Sequence, residues 1–122
     1  LIDIQQGTNS IKKRNFIAAI YAAEGMENEL LDFIKQSKSL DLLQEHLELF
    51  SEKNRKAVLQ LYEQLLYTYL DNHVGRKSSQ RVRDKIGFLY KIGEEQRAEV
   101  LVEKIRATYP ERNSLLDELI IF

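Results

Sequence analysis

His46 and His73 are the two histidines of the chain, and any metal or proton-transfer chemistry would begin with them. Metal ligands on helices recur three or four residues apart on one face. Leu43 stands three residues before His46 and Leu70 three before His73, so the Glu-x-x-His spacing fails twice. Both read as hydrophilic-face or helix-terminal histidines, and His73, when charged, suits a helix C-terminus. Carboxylates pair at Glu94-Glu95 and Asp117-Glu118, in hydrophilic stretches at helix starts where they complement the helix dipole. General acid–base work needs a carboxylate in a dry cleft with a displaced pKa, and nothing in the sequence marks one. No serine sits in a Gly-x-Ser-x-Gly elbow and no Gly-rich phosphate loop exists. The expectation is of no catalytic, cofactor-binding or metal-ligating residue, and of a protein that is not an enzyme.

The chemistry that does stand out is basic. Arg76, Lys77, Arg81, Arg83 and Lys85 stand against one acid, Asp84, a formal +4 over ten residues. Lys12-Lys13-Arg14 is a second cluster. Such clusters at polar helix ends can hold phosphate oxygens, with affinity that falls steeply with salt. The plainer reading is a solvated helix face beside a flexible loop. No aromatic residue interleaves the first cluster, so base stacking is not supported.

The last segment is apolar on nearly every side: Leu115, Leu116, Leu119, Ile120, Ile121 and Phe122. A terminal helix buries one stripe on its neighbour, and the surplus either tucks into the preceding hairpins or contacts another chain. Leu116, Leu119, Ile120 and Phe122 are the candidate protein contacts, or the surface of a homo-oligomer formed through the C-terminal helix.

Elements that could position these groups are all helical. One proline and five glycines in 122 residues argue against the many turns of an all-β fold, and the hydrophobic period never switches to two. Helices are expected over about 10–24, 27–36, a stretch capped by Ser39, from about 51 or 54 to 72, a stretch capped by Ser78 or Ser79, 94–108 and 115–121. In the first, Phe16, Ile17, Ile20 and Tyr21 form the inward stripe; in the fourth, Val58, Leu61, Tyr62, Leu65, Leu66, Tyr69 and Leu70 do. Gly25, Gly75 and Gly93 end helices, whereas Gly87 lies inside one, where close approach of another helix would explain it. Tyr109-Pro110 halts the sixth helix, and Ser114 with Asp117 reads as a capping box for the last. The fold class is all-α: about seven helices in antiparallel hairpins, stacked in a tetratricopeptide-like or α-solenoid-like way within one domain, 1–122.

Net charge of −1 excludes a polyanion-binding character for the chain as a whole. Zero cysteines exclude disulfides and thiolate metal sites and fit a reducing, cytoplasmic setting. No apolar run reaches the roughly 20 residues of a membrane span. The opening Leu1-Ile2-Asp3 lacks a Met and reads as part of a longer chain.

From Val82 to Pro110 the spacing resembles a tetratricopeptide repeat: Gly93 in the turn, then Ala98, Val102, Ile105 and Pro110 at the second helix's signature positions. It departs in the first helix, with Lys85 where that repeat prefers Leu and Ile86 where it prefers a small residue. A second likeness covers Ile86–Leu119 well and Leu30–Leu119 loosely. The phrase Arg106-Ala107-Thr108-Tyr109-Pro110, followed by Leu115-Leu116-Asp117-Glu118-Leu119, looks like the C-terminal helical region of bacterial SWIM zinc-finger proteins. The family's Cys-x-Cys…Cys-x-His site is absent, so its zinc and nucleic-acid associations attach to no residue here. What the resemblance implies is a helical accessory domain. The expected function is a non-enzymatic protein-interaction or scaffold module; the alternative is a nucleic-acid-associated accessory domain using residues 76–85.

Overall fold

Segments rich in leucine and straight-chain polar residues, punctuated by glycine, fold here as seven α-helices: α1 (Ile2–Ala23), α2 (Glu27–Ser37), α3 (Leu40–His46), α4 (Glu52–Asn72), α5 (Arg76–Lys91), α6 (Glu95–Thr108) and α7 (Asn113–Leu119). A 3-10 turn, Leu47–Leu49, follows α3. The structure, a computed structural model, describes the backbone of residues 2–122 and the side chains of residues 10–122, and among these there is no strand. Two compact units divide the chain, Leu1–Leu65 and Leu66–Phe122, with the boundary inside α4.

In the first unit, α1 and α2 are joined by a turn at Gly25, which takes the left-handed conformation (φ 69°). The Met26 N–H reaches back to the Tyr21 carbonyl at 2.9 Å, closing the last turn of α1 as a Schellman motif. The stripe of α1 differs from expectation. Ala18 is fully buried, but Phe16 is 66% and Ile20 44% exposed. With about 100° per residue, Ile17, Ala18, Tyr21 and Ala22 share the side turned inward, where the Tyr21 ring meets Phe33 at 5.9 Å. The small Ala18 lets its neighbours approach, and Phe16 and Ile20 are left on the opposite side.

Ser39 caps α3 as expected, its Oγ accepting the Leu42 N–H at 3.1 Å. Leu30, Leu31, Ile34, Leu42, Leu43, Leu47, Phe50, Val58, Leu59 and Tyr62 are buried in this unit. Glu27 joins the start of α2 to the start of α4: its Oε1 accepts the Ser51 N–H at 2.7 Å and the Asn54 Nδ2 at 3.2 Å. The Ser51 N–H, then the Asn54 amide, holds the Glu27 carboxyl below the usual carboxylate range.

In the second unit, α5 packs on α6 and α7. Gly93 (φ 86°) makes the α5–α6 turn, with the Glu94 N–H bonded to the Leu89 carbonyl at 2.8 Å. Leu66, Leu70, Val82, Ile86, Leu89, Ala98, Leu101, Val102, Ile105, Leu115 and Leu119 are buried. Three local expectations need correction. Ser78 and Ser79 do not cap α5: the helix begins at Arg76 after Gly75, and Ser79 lies buried inside it, its Oγ donating to the Gly75 carbonyl at 2.8 Å. Ser114 caps nothing: α7 begins at Asn113 after Arg112, and Asp117 is drawn instead to Arg76. A Cβ placed on Gly87 would meet nothing within 4 Å, so no close approach requires that glycine.

Candidate functional site

The basic segment sits on the first three turns of α5, not on a flexible linker. Arg76 and Lys77 at a helix N-terminus face the positive end of the helix dipole, and the first turn contains no acid of its own. The compensation comes from α7. Glu118 accepts Arg76 Nη1 at 2.9 Å and Arg83 Nη1 at 2.6 Å, and Asp117 accepts Arg76 Nη2 at 3.3 Å. The Glu118 side chain is 11% exposed, so this carboxylate is a half-hidden clamp shared by two turns of α5. The Glu118 bond, then the Asp117 bond, raises the Arg76 pKa above its ordinary value.

The five candidate phosphate contacts therefore have different fates. Arg76 and Arg83 already hold carboxylates, and Arg83 also reaches Asp84 at 3.3 Å. Lys85 is buried, 7% exposed. The Arg81 guanidinium lies over the Tyr69 ring at 5.2 Å. Lys77 is exposed, with no ion pair among the described residues. The face that the sequence groups as one cationic patch is thus largely an internal joint between α5 and α7. The aromatic and acidic partners come from residues 69 and 117–118, too far along the chain for local patterning to pair them.

A second cluster closes the C-terminal end of α4. Arg112 Nη1 donates to the Leu70 carbonyl at 2.7 Å and Nη2 to the His73 carbonyl at 2.6 Å, satisfying carbonyls the helix leaves open. The Tyr109 hydroxyl donates to Asp71 Oδ1 at 2.6 Å. Burial first, then the Asp71 hydrogen bond, pushes the Tyr109 hydroxyl up to about 12. His73 stacks on Tyr69 (4.1 Å between centroids, 13° between planes) and its Nδ1 is 3.0 Å from the Tyr69 carbonyl. His46, by contrast, is buried at the end of α3, and neither ring nitrogen has a hydrogen-bond partner among the described residues. It is helix-terminal but on no hydrophilic face. No group of three or more potential metal ligands occurs among the described residues.

The C-terminal segment is the third feature. Leu115 and Leu119 are fully buried. Leu119 is therefore core and not a contact for another chain, because it lies on the α7 stripe that seats the helix in its own unit. Leu116 is half-buried. Phe122 is also partly covered, its ring parallel to Tyr90 at 5.2 Å and 4°. Burial, then the nearby Glu99 and Glu95, raises the Tyr90 hydroxyl above its ordinary pKa. Arg106 Nη2 donates to the Leu119 carbonyl at 3.0 Å, and the Phe122 N–H to the same carbonyl at 3.1 Å. The tail is held at both ends, yet Ile120 is 72% and Ile121 71% exposed. Beside Phe122 runs a groove of about 280 Å³ lined by Tyr90, Glu99, Val102, Glu103 and Arg106. That is just below the roughly 300–1,000 Å³ of a small-molecule pocket, and two glutamates stand along it. Such a groove suits one side chain of a protein segment better than a whole ligand.

No helix of the described residues is long and apolar enough to cross a membrane. No protein-family model, no curated protein and no solved structure matches the chain.

Proposed function

We propose that this chain is a non-enzymatic helical interaction module that docks an apolar protein segment, flanked by a basic residue, along the C-terminal edge of its second unit. The observation that carries this reading is the pair Ile120 and Ile121, more than two-thirds exposed on a backbone pinned by Phe122 against Tyr90 and by Arg106 on the Leu119 carbonyl. Two fixed, rotamer-poor β-branched side chains lose little entropy on association, which favours them as contact residues. The exposed Glu99 beside the groove supplies the charge that a basic flank would meet, Glu103 being already paired with Arg106 at 3.0 Å. Nucleic-acid binding through residues 76–85 is the weaker reading, because Arg76 and Arg83 would have to leave Glu118 to reach a phosphate.

The same proposal includes the tetratricopeptide-like stacking of hairpins and kinship with SWIM-type accessory domains. In support of the first, α5 and α6 pack as a tight hairpin with Ala98 fully buried. In support of the second, the sixth helix stops at Thr108, and α7 opens soon after Tyr109-Pro110. A photo-crosslinking residue at position 121, compared with one at the solvent-facing Lys53, tests the reading in cells. Adducts with a defined protein at position 121 that vanish with Ile120→Asp are expected. Adducts equal at both positions, or unaffected by Ile120→Asp, would refute it.

A further inference from the structure

We propose that the outer face of α1 pairs with the same face of a second copy, antiparallel, to form a weak two-fold dimer. This surface lies in the first unit and is independent of the docking edge proposed above.

The face consists of Phe16 and Ile20, 66% and 44% exposed, with exposed Ala19 and Ala23 beside them and Lys12 and Lys13 one turn earlier. At about 100° per residue, Phe16 and Ile20 stand roughly 40° apart, and the alanines leave space beside them for a facing side chain. Phe16 and Ile20 are equally distant in sequence from Ala18. If the two-fold axis passes at that level, Phe16 of each copy meets Ile20 of the other. A two-fold interface requires this reciprocity: residue i on j, and j on i.

The charges obey the same centre. Between Ser10 and Ala23 the helix has Lys12, Lys13 and Arg14 and no acid, and the first acid after them is Glu24. The Glu24 N–H still bonds the Ile20 carbonyl at 3.0 Å, so Glu24 continues the last turn of α1. Lys13 and Glu24 lie on one flank, about 20° apart around the axis, at levels that an antiparallel partner brings within about 1.5 Å of each other. Each copy then contributes one Lys13 to the other's Glu24. Lys13 and Glu24 have no ion pair of their own among the described residues. Parallel pairing is disfavoured, because it lays the two Lys-Lys-Arg runs side by side, and like charges opposed across an interface select against it.

The area sets the strength. Phe16 and Ile20 together expose roughly 200 Å², taking about 150–250 Å² for a whole aromatic side chain. A stable interface buries about 800 Å² per partner. The pair is therefore reversible and concentration-dependent.

Sedimentation velocity of the whole chain across a wide concentration range tests this. A monomer–dimer equilibrium is expected at high concentration, weakened at least about tenfold by Phe16→Asp and unaffected by Ile120→Asp. Lys13→Glu and Glu24→Lys, both surface changes that leave the helix intact, are each expected to weaken it by about threefold or more at low salt. The double variant Lys13→Glu/Glu24→Lys restores it. A chain that stays monomeric throughout overturns the proposal. So does a dimer indifferent to Phe16→Asp, or single charge variants that the double variant does not rescue.

Discussion

Replacing His46 by leucine should make the protein more stable, not less. His46 is 6% exposed, and both ring nitrogens lie out of solvent with no hydrogen-bond partner among the described residues. A buried polar group left unsatisfied costs about 1–3 kcal/mol. Leucine removes that cost and fills a similar volume, and the change of shape returns up to about 1.5 kcal/mol. The net expectation is a stabilisation of about 1 kcal/mol. Unfolding entropy of about 2.1 cal/mol/K per residue, over this length, is about 0.26 kcal/mol/K, so the midpoint should rise by about 4 °C. Thermal unfolding followed by far-UV circular dichroism at pH 7 measures this, with urea unfolding as an independent scale. The matched control is His73→Leu. His73 is exposed, and its stacking on Tyr69 and its hydrogen bond to the Tyr69 carbonyl both lie at the surface, so its change should stay within about 0.5 kcal/mol. A fall of several degrees in His46→Leu would refute the reasoning, because it would mean the imidazole makes hydrogen bonds in solution that the leucine forfeits.

Two further outcomes follow from single residues. Gly87→Ala should stabilise α5 by about 1 kcal/mol, the propensity difference in a helix interior, since no atom lies where the new methyl would go; destabilisation in urea titration would reveal a close neighbour. Tyr109, held near 12, should still be protonated at a pH where ordinary tyrosines near 10 have ionised. Because the folded value lies above the unfolded one, the stabilisation from this group is complete below pH 10 and lost as pH rises through 12. Absorbance titration of tyrosinate should show a late component that Tyr109→Phe abolishes; an unchanged curve would contradict the assignment.

Helical class, and most helix ends, were readable in the sequence because they depend on local causes: the glycines at 25 and 93, Ser39, and the proline at 110. The inward face of α4 was equally plain, with Val58, Tyr62, Leu66 and Leu70 forming one buried stripe. The sequence misled where a residue's role is set by a distant partner. Phe16 and Ile20 have the spacing of a core stripe, yet the contact line of α1 follows its small residues Ala18 and Ala22 instead. Ser114 and Asp117 have the spacing of a capping box, but Arg76, 41 residues earlier, takes the carboxylate. Residues 76–85 read as one cationic patch, but Glu118 and Tyr69, distant in sequence, hold Arg76, Arg83 and Arg81. Within the C-terminal segment, composition showed the apolar surplus but not its distribution: Leu119 went to the core, and Ile120 and Ile121 to the surface.

The most direct test of the docking proposal is selection from a random peptide library on the intact chain, with every enriched peptide re-measured on an Ile120→Asp/Ile121→Asp variant. The expected result is a family of apolar peptides with a Lys or Arg flank. Their affinity should fall far less with salt than that of phosphate contacts, which drops steeply, and should collapse in the double variant. Enrichment of no such family, or of peptides that bind the double variant equally well, would contradict the proposal.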